Sequence, residues 1–395
     1  MRLTDVAIPL GLGWSSPFTR WQGPLSEMSG IDLAVDVTGR ALAAREFDPA
    51  GVTYAVLGTT VPQATGFYGV TSVAPRLGMP AVTGPVIAQA CATSAAVLQA
   101  AAVQVQLGAH RTVLAVATDR TSNGPLMVYP SPARSGGAPR TEHWVLDPMQ
   151  EDPTTRDSML ATAENVAADE GFTRDELDEV TLLRHEQYRA ALGDDRAVQR
   201  RYLVEVHVPG RKGHTVVAED VGVHPATPEG LAKLAPVTPG GVVTYGSQTH
   251  PGDGTAGVVL STVDTARALG AGVARVRAVA FARVEPARMP KAPVPAARAA
   301  LADSGLEIAD IDVVTTHNPF AVNDLYFHRQ TGFPLDRMNP YGSSLVYGHP
   351  QGPTGLRAVV ELIEALRARG GGRGLFTGCA AGDTAGAVVI EVDDR

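Results

Sequence analysis

The chain has 395 residues, 44% hydrophobic and 19% charged, with a formal net charge of −8 at pH 7. That composition supports a large core in two or three tightly joined domains and argues against disorder. The acidic balance argues against a nucleic-acid partner, no apolar run reaches the roughly 18 residues of a membrane span, and Met1-Arg-Leu-Thr-Asp-Val-Ala-Ile has no long apolar signal core.

In chain order, Asp32–Glu46 reads as a helix and Thr53–Gly58 as a buried strand. A short apolar strand from Val86 runs into an alanine-rich helix, Thr93–Gly108, with Cys91 at the junction. Thr112–Ala117 is the next strand. Residues 121–240 then change character. Pro125, Pro130, Pro132 and Pro139 interrupt the first part, a charged helix follows over Asp175–Tyr188, and a basic patch includes Arg196, Arg200, Arg201, Arg211 and Lys212. This stretch reads as an inserted loop domain with its own small core. Its basic residues either receive a phosphorylated ligand or face solvent. Ile311–Thr316 is a strand, Tyr347–Pro353 a loop, and Pro353–Arg369 a helix with Pro353 near its start and Gly370 just past its end. A strand over Gly374–Thr377 ends in the turn holding Cys379. Strands alternating with helices predict an α/β protein with a mainly parallel sheet.

Only two cysteines are present, far apart, so neither a disulfide framework nor a structural zinc motif is expected, and a reducing cytoplasm suits the chain. Both stand at element ends, as does His349 in Tyr347-Gly-His-Pro-Gln-Gly-Pro353. Two thiols and an imidazole so placed suit nucleophilic catalysis, though free cysteines are more often small buried hydrophobes. A weak internal echo adds to this. The stretch from Cys91 through helix and strand to Asp119 parallels that from His349 through helix and strand to Cys379. Two pseudo-twofold halves would bring both helix N-termini to one interface.

At these residues the chain resembles the thiolase family over nearly its whole length. Cys91-Ala-Thr resembles the family's CxS nucleophile block, with Thr93 where Ser is usual. His317-Asn-Pro-Phe320 resembles the NEAF/HEAF block in its histidine form, Gly348-His-Pro350 matches the GHP block, and Cys379-Ala-Ala381 resembles CxG with Ala381 in the glycine place. Two longer stretches agree: Met159-Leu-Ala-Thr-Ala-Glu-Asn-Val-Ala and Pro228-Glu-Gly-Leu-Ala-Lys-Leu-Ala-Pro-Val. The resemblance implies a layered α/β/α/β/α core of two βαβαβ halves. One half would be 1–120 plus 241–272, the other 273–395, with 121–240 as a coenzyme A-binding loop domain.

It further implies acyl exchange between coenzyme A thioesters through an acyl-enzyme on Cys91, activated by His349, with Cys379 as acid–base. His317 and His349 would donate to the enolate oxygen, and the backbone N–H groups of Cys91 and Ala381 would form a second oxyanion site. Cys91, opening a helix, would gain from the N-terminal dipole that favours a thiolate. Ser158, Met159, Arg211, Lys212, His224, Thr249 and Phe320 are the expected substrate and coenzyme A contacts. Ser158, His224 and Thr249 depart from the residues usual in the family at their places, as does Asn318-Pro319. Acyl-CoA and CoA are the expected partners, with no metal or redox cofactor, no nucleic acid and no membrane. A homodimer or homotetramer is expected, and a small accessory subunit is conceivable. Two alternatives are a ketosynthase-like condensing enzyme, which His317 would suit, and a non-catalytic acyl-CoA or lipid binder, against which both retained cysteines argue.

Overall fold

The structure is a computed structural model, describing residues 1–131, 135–270 and 272–393. Pro132 lies outside the described residues. The core elements are β1 (Ala7–Pro9), α1 (Gly30–Ala44), β2 (Tyr54–Gly58), α2 (Thr93–Gln106), β3 (Thr112–Arg120), β4 (Gly252–Ser261), β5 (Val273–Arg283), α3 (Pro293–Ser304), β6 (Val313–His317), α4 (Ala321–Thr331), α5 (Thr354–Ala368), β7 (Gly372–Ala380) and β8 (Thr384–Asp393).

Side-chain alternation along the strands builds the layers, because successive residues face opposite sides of a sheet. In β3, Val113, Ala115 and Ala117 join the central core, whereas Leu114 and Val116 pack with Leu33 and Val37 of α1. In β6 and β7, Val313 and Phe376 turn to that same central core, whereas Val314 and Leu375 pack with α3 residues Ala297 and Leu301. The central core is filled by α2 (Val97, Leu98, Ala101) and α5 (Leu356, Val359, Leu362). The order is therefore α1, first sheet half, α2 with α5, second sheet half, α3. This is the expected five-layer α/β/α/β/α arrangement.

Each half repeats one pattern. β2 and β3 run parallel with α2 between them in sequence, and β4 pairs antiparallel to β3; β6 and β7 run parallel with α5 between them, and β8 pairs antiparallel to β7. β1 joins the halves, pairing with β5 from Ala7 to Pro9 and touching β4 at Ser261. The helix N-termini meet directly. Ser94 Oγ donates to the Gly352 carbonyl at 2.5 Å and accepts from the Leu356 N–H at 2.8 Å.

The 121–240 excursion corrects one expectation. It contains helices Met159–Glu170 and Arg174–Ala191 and two hairpins, but its apolar side chains do not close a core of their own. Ala163, Val166, Leu177 and Val180 cluster with Phe320, Val322, Leu325 and Cys379, and Tyr202 belongs to the central core. The excursion is thus a wall of the site and packs as part of the main body.

Candidate active site

The Cys91 turn is tighter than the sequence suggests. α2 begins at Thr93, so Cys91 precedes it in a turn where Ala90 adopts a left-handed φ of 44°. A side-chain-bearing residue there is strained, a cost that functional turns often carry. Thr93 Oγ1 secures the turn, donating to the Ala90 carbonyl at 2.7 Å and accepting from the Gln89 N–H at 2.8 Å. Cys91 is half-buried at the cavity, and desolvation by the surrounding protein pushes its thiol up to about 11. Hydrogen bonds from the Ala381 and Cys91 N–H groups pull the other way and lose. Burial thus opposes the thiolate that a helix start would favour. A neutral thiol needs a base.

His349 stands where that base is needed. Its Nε2 is 3.1 Å from Cys91 Sγ and its Nδ1 is 2.7 Å from Thr354 Oγ1. Burial holds His349 well below the usual histidine range, so the imidazole is neutral. Gly348 shapes the loop, with φ +91° and a position where a Cβ would lie 2.5 Å from His250 Cε1. The His317 ring stacks on His349 with centroids 3.9 Å apart, and burial lowers His317 to about 3. Cys91 Sγ and one ring nitrogen from each histidine all lie within 4.8 Å of one another.

Strand register delivers Cys379. His317, the last residue of β6, pairs with Gly378 of β7, so the histidine and the thiol leave adjacent strand ends together. Cys379 is 1% exposed, its thiol is raised by burial, and its Sγ accepts from Asn323 Nδ2 at 3.2 Å. Asn323 was not legible as a site residue: it opens α4 beside Asp324 as one of two adjacent polar residues, and its burial shows only in the fold.

Two buried charges hold the loops. Asp119, at the end of β3, accepts from the Val61 N–H at 2.9 Å and the Gly352 N–H at 2.8 Å, tying both halves together beside the site. Burial nonetheless pushes its carboxyl up to about 6. Arg357 makes a bidentate pair with Asp220 at 2.6 and 2.8 Å and lies 3.7 Å over the Tyr347 ring, anchoring the residues that lead into His349.

A cavity of about 470 Å³ opens on Cys91, His349 and Cys379, whereas His317 and Ala381 are not among its lining residues. Its lining includes Cys91, His349, Cys379, Ser158, Met159, Thr249 and Phe320. Ser158 also caps its helix by accepting from the Ala161 N–H at 3.1 Å, and Thr249 Oγ1 donates to the Ser344 carbonyl at 2.5 Å. His224 lines an adjoining cavity of about 320 Å³ that shares Tyr245 and Gln248 with the first. Arg211 and Lys212 line neither cavity. They occupy the exposed turn between strands Val206–Gly210 and Gly213–Val217, a hairpin whose first strand packs on α1. Both side chains are exposed at that turn.

Comparison with known proteins fits this arrangement. Residues 13–264 match the family described as "Thiolase, N-terminal domain" and residues 271–392 match "Thiolase, C-terminal domain". The acetyl-CoA acetyltransferase of Escherichia coli K12 is 30% identical over 94% of this chain and 95% of its own length. The beta-ketoadipyl-CoA thiolase of Pseudomonas knackmussii is 30% identical over 92% and 94%. The crystal structure of the Bacillus anthracis acetyl-CoA acetyltransferase superposes with a TM-score of 0.90 at 28% identity, covering 99% of each chain. The chain belongs to the thiolase family, acyltransferases that make or break a carbon–carbon bond between acyl thioesters.

Proposed function

We propose that Cys91 carries the acyl group, that His349 is its base, and that Cys379 moves the α-carbon proton. The observation that carries this reading is the 3.1 Å approach of His349 Nε2 to Cys91 Sγ in a cavity that Cys379 also lines. As His349 takes the Cys91 proton, the sulfur attacks the thioester carbonyl. Coenzyme A then leaves with that proton, and Cys91 holds the acyl group. In condensation, Cys379 hands its thiol proton to His349 and, as the thiolate, takes a proton from the carbon beside the second thioester; the resulting carbanion attacks the acyl-enzyme carbonyl, and Cys91 leaves and regains a proton from His349. Thiolysis runs the same steps in reverse. The amide donors of Cys91 and Ala381 face the acyl oxyanion, while His317 and His349 face the enolate oxygen.

CoA thioesters are the substrates in this reading, with Ser158, Met159, Thr249 and Phe320 along the arm and His224 near its far end. The lining of the larger cavity includes Val145, Leu146, Met149, Leu160 and Met289 and, among the described residues, no Asp, Glu, Lys or Arg. That favours an uncharged, apolar acyl group, since a buried unpaired carboxylate is costly. The protein works in the cytoplasm as a dimer or tetramer. Phe67 (94% exposed), Tyr68 (70%) and Val86 (44%) beside the sheet's edge strand support self-association; light scattering on the purified protein tests it. The test of function is a thiolysis screen with coenzyme A and 3-oxoacyl-CoA thioesters varied in length and terminal charge. Cleavage of neutral chains well ahead of carboxylate-ended ones is expected. Absence of cleavage across the panel would contradict the reading.

A further inference from the structure

His317 is 1% exposed; its Nδ1 lies 2.9 Å from Ser344 Oγ, and its Nε2 has no hydrogen-bond partner among the described residues. In a neutral imidazole one nitrogen donates and the other accepts. An Nε2–H would be a donor for an oxyanion, whereas a bare Nε2 would be a base. The two readings lead to different chemistry for the same ring.

The surrounding network fixes the choice. Asp324 is fully buried and paired with Arg184 Nε at 2.8 Å. As a carboxylate it only accepts, so the Asn318 group 2.7 Å away must be the NH2, as must the Thr316 hydroxyl donate at 2.7 Å. Asn318 Oδ1 then faces the Leu345 N–H and Ser344 Oγ, both at 3.3 Å. Ser344 Oγ accepts from the Asn318 N–H at 3.2 Å and retains one proton. Its two possible acceptors are Asn318 Oδ1 at 3.3 Å and His317 Nδ1 at 2.9 Å. Hydroxyl donors favour about 2.7–2.8 Å to oxygen and weaken well before 3.3 Å. The geometry therefore favours Nδ1 as the acceptor, because an Nδ1–H donating to Ser344 Oγ would leave the hydroxyl proton only the 3.3 Å contact to Asn318 Oδ1.

We propose that Ser344 is a positioning residue: its hydroxyl donates to His317 Nδ1, fixes the ring as the Nε2–H tautomer, and so makes His317 an oxyanion donor rather than a base. This rests on the reading that the site handles acyl thioesters. The nitrogen without a protein partner then becomes the donor that a thioester oxygen satisfies, because a buried unpaired donor gains most from an incoming acceptor.

The first test needs no substrate, so it separates this inference from the proposed reaction. In 15N-histidine-labelled wild-type protein, long-range proton–nitrogen correlations report each tautomer, and the His317 signal is the one lost in His317→Asn. A single Nε2–H form is expected, giving way to a mixture in Ser344→Ala. An Nδ1–H form in the wild type would overturn the proposal. The second test is kinetic. Ser344→Ala should lower the thiolysis kcat about tenfold, less than the roughly 10²–10³ of deleting an oxyanion donor. In the His317→Asn background, where the amide carries its own N–H, the same change should add less than about twofold. Equal losses in both backgrounds would reduce Ser344 to a packing role and reject the inference.

Discussion

Cys91 and His349 meet at 3.1 Å although each comes from a different half of the molecule, ahead of α2 and α5 respectively. The two helices share the central layer and touch through Ser94 and Gly352, so the pair is held by the deepest packing in the protein. Its geometry is a property of the whole fold.

His349→Ala should therefore cost more than His317→Asn. His349 serves Cys91 and the thioester oxygen, whereas asparagine at 317 still offers an N–H donor. His317→Asn should stay within the roughly 10²–10³ expected for one weakened oxyanion donor. Thiolysis rates of the two variants decide it; an equal collapse would assign His317 a proton-transfer role.

The resting pair should be thiol and neutral imidazole, since burial raises Cys91 to about 11 and lowers His349. Only the thiolate alkylates. Raising the thiol's value removes thiolate at neutral pH, so the iodoacetamide rate at Cys91 should climb steadily from pH 7 to beyond pH 9. A rate already level near pH 6 would reveal a preformed thiolate–imidazolium pair.

Neutralising Arg211 and Lys212 should leave the KM for coenzyme A unchanged, because both sit on an exposed hairpin turn outside the cavity lining. A raised KM with steady kcat, the signature of lost uniform binding, would place them at the ligand after all.

Removing one partner of the buried Arg357–Asp220 pair should be severe. Asp220→Ala leaves the buried Arg357 guanidinium with Glu361 as its one remaining carboxylate partner and takes the Asp220 acceptor from the Tyr188 hydroxyl. A loss of about 3–5 kcal/mol in denaturant unfolding is expected. A change under about 1 kcal/mol would mean that Glu361 alone can hold Arg357.

Much of this was legible in the sequence, for identifiable reasons. Helices α1, α2 and α5 and strands β2, β3 and β6 were placed to within a few residues because each is a compact apolar run with turn residues at its ends. β4, β5 and β8 were missed. Segments such as Gly252-Asp-Gly-Thr-Ala-Gly-Val and Ala385-Gly-Ala mix glycine and alanine into strands whose faces are both covered, which hides strand character. The candidate groups Cys91, His317, His349 and Cys379 were named from local motifs, and the fold brings them together. Their partners Ser344, Asn323 and Thr354 were not, since a serine or asparagine acquires meaning only from the histidine or thiol that folding places beside it. The placement of the basic residues was hidden for a related reason: charge is visible in sequence, but the hairpin turn that sets Arg211 outside the cavity lining is not.

The most direct test of the account is intact and peptide mass spectrometry after incubation with an acyl-CoA, on wild type, Cys91→Ala and Cys379→Ala together. The account predicts one acyl group on the Cys91 peptide of the wild type and none in Cys91→Ala. It predicts full acylation in Cys379→Ala with condensation and thiolysis reduced by more than the roughly 10²–10⁴ typical of a lost acid–base. An acyl group on another residue with turnover surviving in Cys91→Ala, or near-normal turnover in Cys379→Ala, would contradict it.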